Sequence, residues 1–436
     1  MGLIMLTLYG KALSAQSFQQ SDTIKKWTLQ DCIQYANDNS YNINSLKLSK
    51  DISDQNYLLA KAAQLPNVNA SGSITFNHTG TNLNSNDKIN SSGSAGVNSA
   101  WTIYNGGYLK DDKAQKKIAV QSADLFLKQG ENNAALSITQ SYLNILLDKE
   151  NIKYNEDLVK TSEAQLEQAQ QEYKVGSIAK KDVVQLEAQL AKDQYNLITS
   201  QSTERLDILT LKQTLLLPSD TTFAVQQPDT LFSISVLSPL QDVQSSAAEI
   251  MPDVKINQLE LQSYQLDLAK AKAGYLPVIS LSAGAGSSLG NTANYSMGYS
   301  INNNLYQQAG VSVSVPIFSQ RINKTKVAVA KINIDQAKLD LKNSQIGLSQ
   351  TVEKAYINAI NSQSQYKSSE EQLKYSQESL RISSEELKIG SANMVDYIQQ
   401  RNLYVQALQS FLQSKYNAAM YLKIYDFYKG TPLTLN

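Results

Sequence analysis

The side chains that carry most enzymatic and metal chemistry are nearly missing from this chain of 436 residues, which has one cysteine, Cys32, and one histidine, His78. A lone thiol forms no internal disulfide, and a single imidazole excludes multi-histidine metal sites and argues against a Ser/His/Asp arrangement. Cys32 lies in the amphipathic stretch Trp27 to Ala36 and reads as a small buried apolar residue. It stands too far along the chain to be a lipid-anchored cysteine, which directly follows the apolar run of a signal. His78 ends an alternating strand pattern and reads as a surface or rim residue. The glycine-rich run Gly284–Gly290, GAGSSLG, has the wrong spacing for a phosphate loop and lies in a strand pattern rather than before a helix. Nothing calls for a cofactor or metal, and no set of residues forms a catalytic constellation, so the chain reads as a non-enzyme. Two acids remain with a possible role, Asp182 and Asp396. Both stand in the first turn of a helix, where the dipole alone favours a carboxylate.

The composition narrows the class. Basic and acidic residues balance at 39 each, so no general affinity for nucleic acid is expected. The bases are almost all lysine, which leaves few guanidinium groups for bidentate phosphate recognition. The polar remainder is rich in Asn, Gln and Ser and suits long solvated helices and a wet lumen. Residues 1–15 resemble a secretory signal, a short apolar run followed by small residues with cleavage near Ala15. No later segment approaches the run of apolar residues that a membrane-spanning helix needs. Any encounter with a bilayer must therefore use strands.

The elements that position Asp182 and Asp396 belong to a sequence written twice. Leu65-Pro66 recurs as Leu276-Pro277, 211 residues on, and thereafter a constant shift of 214 holds. Trp101-Thr102-Ile103-Tyr104 falls on Val315-Pro316-Ile317-Phe318, and Lys174-Val175-Gly176-Ser177 on Lys388-Ile389-Gly390-Ser391. Ile138, Ile145, Ile152, Val159, Leu166 and Tyr173 recur every seven residues, and the shifted positions Val352 to Leu387 are apolar as well. A sustained seven-residue stripe specifies left-handed coiled-coil packing.

The first repeat is placed at 27–216, with strands at about 67–79 and 93–104 and a long helical hairpin over about 107–216. A linker spans 217–238. The second repeat is placed at 239–428, with strands at about 278–289 and 308–318 and a hairpin over about 321–428; 429–436 is a tail. Pro66 and Pro277 stop the helices that precede the strands. Gly176 and Gly390 end the long helices as left-handed caps.

All four strands alternate. Val68, Ala70, Gly72, Ile74 and Phe76 face one way, and Asn69, Ser71, Ser73, Thr75 and Asn77 the other. Strands of about ten residues, apolar outside and polar inside, are what a transmembrane barrel requires. The loops around Asn82–Asn90 and Asn291–Asn304 are expected in solvent. Four strands cannot close a barrel, and an open edge cannot sit in lipid. Three copies supply twelve strands, enough for closure around a lumen. A helix of about 68 residues spans about 100 Å, so the helices must project beyond the membrane.

In order and at doubled spacing, the two Leu-Pro pairs, WTIYNGG, VPIFSQR, YKVGSIAKKDV and LKIGSANMVDYI resemble the TolC family of outer-membrane efflux proteins, and the likeness runs through nearly the whole chain from WTLQDCIQYANDNS. The resemblance implies a mainly α protomer with a β-barrel portion, in a homotrimer that forms a twelve-stranded barrel in the outer membrane of a Gram-negative bacterium and a helical tunnel in the periplasm. Its implied role is the exit duct of a tripartite efflux pump or type I secretion system. Its implied partners are a periplasmic adaptor (membrane fusion protein), an inner-membrane transporter and outer-membrane lipid. The tips, Val175, Gly176, Ser177 and Ile178 with Ile389, Gly390, Ser391 and Ala392, correspond to the family's adaptor-contacting segments. The family's acidic aperture pair falls on Asp396 and Gln399, and Asp182 matches the first repeat's acidic position. The family's basic locking residue falls on Ala392, so that bond cannot form; Lys180 or Lys181 beside Asp182 is the available substitute. A trimeric coiled-coil surface or structural protein without transport is the alternative, but it needs no duplicated strand pairs.

Overall fold

A computed structural model describes residues 26–78, 89–218, 220–228, 231–232, 236–290 and 304–435. The signal at 1–15 and most of both expected loops lie outside them. In chain order the elements are β1 (Lys26–Trp27), α1 (Leu29–Asn39), α2 (Tyr41–Ala62), β2 (Asn67–His78), β3 (Ile89–Asn105), α3 (Tyr108–Lys174) and α4 (Lys180–Thr214). After the linker strand β4 (Ala224–Val225) come α5 (Leu240–Ile250), α6 (Pro252–Ala273), β5 (Val278–Gly290), β6 (Leu305–Ser314), α7 (Ile322–Lys388) and α8 (Met394–Lys429). The second set repeats the first in order and nearly in length: α3 and α7 each have 67 residues.

Local chemistry sets the boundaries. Thr28 opens α1 with a reciprocal capping box to Asp31, which satisfies two otherwise unpaired donors. Pro66 and Pro277 stand immediately before β2 and β5, where their fixed φ suits extended chain and their missing N–H interrupts no helix. The fourth strand departs from the expected span of about 308–318. It runs Leu305–Ser314, because Pro316 has no donor to continue the ladder. The second begins earlier than expected, at Ile89, and pairs with β2 through Ile89↔His78; the Ser-Gly run at its start lacks the apolar alternation that reveals a strand.

The sheet is antiparallel with order β2-β3-β5-β6, and a register shift at Thr102/Tyr104 bends the end of β3. Helices hang from one end of the sheet. Beside it they lie in the order α2, α3, α6, α7, and toward the far end in the order α4, α3, α8, α7.

The chain enters the long helices through left-handed backbone in both repeats. Gly106 and Gly107 have φ of 69° and 88°, and the matching Gln320 and Arg321 have 47° and 69°. The second copy thus keeps the turn without glycine, a conformation that costs a residue with a Cβ roughly 1–2 kcal/mol.

The core sits midway along the helices as two related clusters. Cys32, Ile138, Tyr142, Leu146, Leu211, Leu412 and Tyr416 belong to the first. Val243, Val254, Val352, Ala359 and Tyr425 belong to the second. Burial raises the Cys32 thiol to about 12, with Asp31 adding to the effect, so it is an inert packing group. At the same level β1 pairs in parallel with β4, and the Tyr142 hydroxyl donates between Trp27 O and Gln226 O at 2.9 and 2.5 Å.

Candidate functional site

Each hairpin turns in the same way at its tip. Gly176 and Gly390 have φ of 79° and 75°. The N–H groups of Ser177 and Ser391 donate to Glu172 O and Glu386 O, both at 2.9 Å. These reach-back bonds satisfy carbonyls that a helix end leaves open. Val175 and Ile389, 80% and 78% exposed, project from the two ends as apolar side chains with no cover. Ile178 turns inward, packing with Leu166 and Met394 against Ala169, Val183 and Leu186. Because Met394 begins α8, this small cluster joins the tips of the two hairpins.

The start of α8 is well defined. The Asn393 side chain accepts from the N–H groups of Val395 and Asp396 at 2.9 and 3.0 Å, which caps the helix. Asp396 and Gln399 are exposed and one turn apart, Asp182 is half-buried in the first turn of α4, and Ala392 is half-buried. Among the described residues no ion pair joins Asp182 to Lys180 or Lys181 within the chain.

A different ionic group ties the hairpins together, one that sequence reasoning missed. Arg401 on α8 is 2% exposed and meets Asp193 on α4, which is 3% exposed. Its Nη2 donates to Asp193 Oδ2 at 2.6 Å and to Ser162 Oγ of α3 at 2.8 Å, and its Nη1 donates to Asp193 Oδ1 at 3.3 Å. Ser162 donates in turn to Asp193 Oδ2 at 2.5 Å, and Gln189 Nε2 to Oδ1 at 3.0 Å. Gln165 of α3 donates to the Tyr397 hydroxyl one turn nearer the tip. Two heptads up, Lys415 and the Tyr416 hydroxyl donate to Glu150 of α3, both at 2.8 Å. A charge standing between Tyr397 and Leu408 in the buried stripe of α8 was the available signal.

Among the described residues no cluster of metal-binding side chains occurs, and no helix is long and apolar enough to cross a membrane. The sheet carries apolar residues on one face, uncharged polar residues on the other, and 67-residue helices that leave it at one end. Those features define a conduit-forming protein that places strands in a bilayer and helices outside it.

The chain belongs to the outer membrane efflux protein family, whose model matches residues 32–215 and 243–421, one match on each repeat. No curated protein matches it. Among solved structures, the outer membrane protein VceC of Vibrio cholerae is similar over 92% of this chain and 96% of its own, with 14% identity and a TM-score of 0.78. The open-state MtrE outer membrane channel of Neisseria gonorrhoeae is similar over 98% and 97%, at 18% identity and 0.76. The CmeC outer membrane channel of Campylobacter jejuni covers 97% and 92%, at 17% and 0.76. The protein is an exit duct for efflux in the outer membrane, with a helical part in the periplasm.

Proposed function

We propose that three copies close into one continuous channel, and that its periplasmic tips receive a periplasmic adaptor coupled to an inner-membrane transporter. The observation that carries this reading is a matched pair of open edges. β2 and β6 end the four-stranded sheet unpaired on their outer sides, which is untenable in lipid. The helical layer ends at the same places. Tyr41, Leu48, Ile52 and Leu59 are exposed on α2, and Ile332, Leu339 and Ile346, seven residues apart, are exposed on α7. Nearer the tips the outer helices are α4 and α7, with Tyr195, Ile198 and Leu206 exposed on α4. A second copy seats β6 against β2 and α7 against α2 and α4, a head-to-tail contact that closes into a ring of three when each copy is rotated by a third of a turn.

In this reading, uncovered Val175 and Ile389 beside their cap glycines offer the adaptor apolar knobs. Threefold symmetry gathers three Asp396 side chains at the periplasmic mouth, with Gln399 above them and Asp182 to the side. The protein's work is conduction, and catalysis has no part in it. The mass of the detergent-solubilised particle tests the assembly: three chains per particle are expected, and a monomer that retains its strand content overturns the proposal.

A further inference from the structure

The polar face of the sheet has a relief that its composition does not require. One register row crosses all four strands as Ser71↔Gly96↔Gly286↔Tyr306. The Tyr306 ring lies over the two glycines in this row. A Cβ on Gly286 would meet Ala95 O and the Tyr306 hydroxyl, each at 2.8 Å, and Tyr306 Cζ at 2.9 Å; a Cβ on Gly96 would stand 3.1 Å from Ala285 O and 3.6 Å from the same hydroxyl. The next row toward the helices, Asn69↔Asn98↔Gly284↔Gln308, repeats the device. Asn98 Oδ1 would come within 2.5 Å and Gln308 Nε2 within 3.5 Å of a Cβ on Gly284. Side chains from β3 and β6 thus recline across a glycine floor on β5. β2, β3, β5 and β6 contain no Asp, Glu, Lys or Arg.

We propose that Tyr306, laid flat in the Gly286–Gly96 recess, sets the bore of the barrel, and that this uncharged wall sorts cargo by size rather than by charge. The inference rests on the trimeric-channel reading above. Strands about 4.8 Å apart and tilted about 40° give a twelve-stranded barrel a backbone radius of about 12 Å. A tyrosine standing upright reaches about half of that, so three upright rings would cut the clear radius on the axis to about half and three flat ones leave it wide. Glycine on β5 is what permits the flat position, since any Cβ there occupies the space of the ring.

Thiol labelling in intact cells tests this. Ser312 lies on the same face, between Tyr306 and the helical end, so a reagent entering from outside passes the Tyr306 level to reach a cysteine there. Cys32 is fully buried and adds no background. Ser312→Cys is to be labelled with a small maleimide and with a bulky polymer-linked maleimide. Adding Gly286→Ala is expected to slow the bulky reagent at least fivefold and leave the small one nearly unchanged; Tyr306→Ala on top restores the bulky rate. Undiminished bulky labelling in Gly286→Ala, or slowing that Tyr306→Ala does not relieve, overturns the inference. Should Gly286→Ala not reach the membrane, Tyr306→Trp decides: its larger ring overfills the recess and must slow the bulky reagent alone. If the small maleimide never labels Ser312→Cys itself, the channel reading fails instead.

Discussion

Asp148 is the residue whose chemistry is least settled by its surroundings. It stands on α3, 8% exposed, and its Oδ2 has no hydrogen-bond partner. Burial, followed by the charge of Asp207 and then its hydrogen bond, with Glu204 beyond, pushes its carboxyl up to about 7. Lys149, next to it, is directed elsewhere, donating to Val225 O at 3.1 Å. The consequence for stability has a definite sign. In the unfolded chain an aspartate titrates near pH 4, so between about pH 4 and 7 the folded state holds a proton that the unfolded state has lost. Stability is therefore full below about pH 4 and declines as pH rises through 7. Thermal midpoints at pH 5, 6.5 and 8 should fall steadily for the natural protein. Asp148→Asn should flatten that slope and gain on the order of 2 kcal/mol at pH 8; an unchanged slope would place the titration at another group.

Among the elements, α8 packs on α7, α3 and α5, and the Arg401 cluster shows how its contact with the first hairpin is fixed. A buried ion pair adds little over an apolar pair of equal shape, but breaking it leaves a bare charge in the interior. Arg401→Leu or Asp193→Leu alone is expected to destabilise by about 3–5 kcal/mol, while Arg401→Leu with Asp193→Leu loses much less. Denaturation midpoints of the three variants measure this, and additive losses would mean that the two side chains act independently. The cluster also marks the limit of what the sequence discloses. Heptad spacing locates the helices because apolar periodicity is written in one strand of text, and both cap glycines are legible through the doubled Lys-x-Gly-Ser. The partner of Arg401 is not, because Asp193 and Ser162 come from two other helices and nothing in their own neighbourhoods distinguishes them. The end of β6 at Ser314 is hidden for a similar reason, since apolar alternation continues past Pro316 although its backbone has no donor for the ladder.

At the scale of the whole molecule, the four strands of the sheet hold no formal charge, so any ionic preference of the proposed channel must arise elsewhere along the path. Asp396, exposed at the start of α8, is the candidate. In the proposed trimer, three carboxylates brought to one axis attract cations. Weak cation selectivity and block by multivalent cations from the periplasmic side are expected in single-channel recordings. Asp396→Ala should weaken both, and Gln399→Ala should change little. If Asp396→Ala leaves selectivity and block intact, Asp396 is a helix-start residue only. The repeat, the alternating strands and the long helices were legible from sequence because each is a periodic pattern. The glycine floor beneath Tyr306 was not, since it depends on which rows of four strands come into register.

The short parallel pair of β1 with β4 has a bearing on how the chain matures. It joins Lys26 and Trp27 to Ala224 and Val225 and encloses the whole first repeat in a loop of about two hundred residues, whose closure penalty grows only with the logarithm of its length. A polypeptide delivered amino end first holds Trp27 without its strand partner until the segment after α4 arrives, and then acquires it before α5 has followed. The two ends of the first repeat are thereby joined while the second is still in transit, and its core is completed only when Leu412 and Tyr416 of α8 arrive.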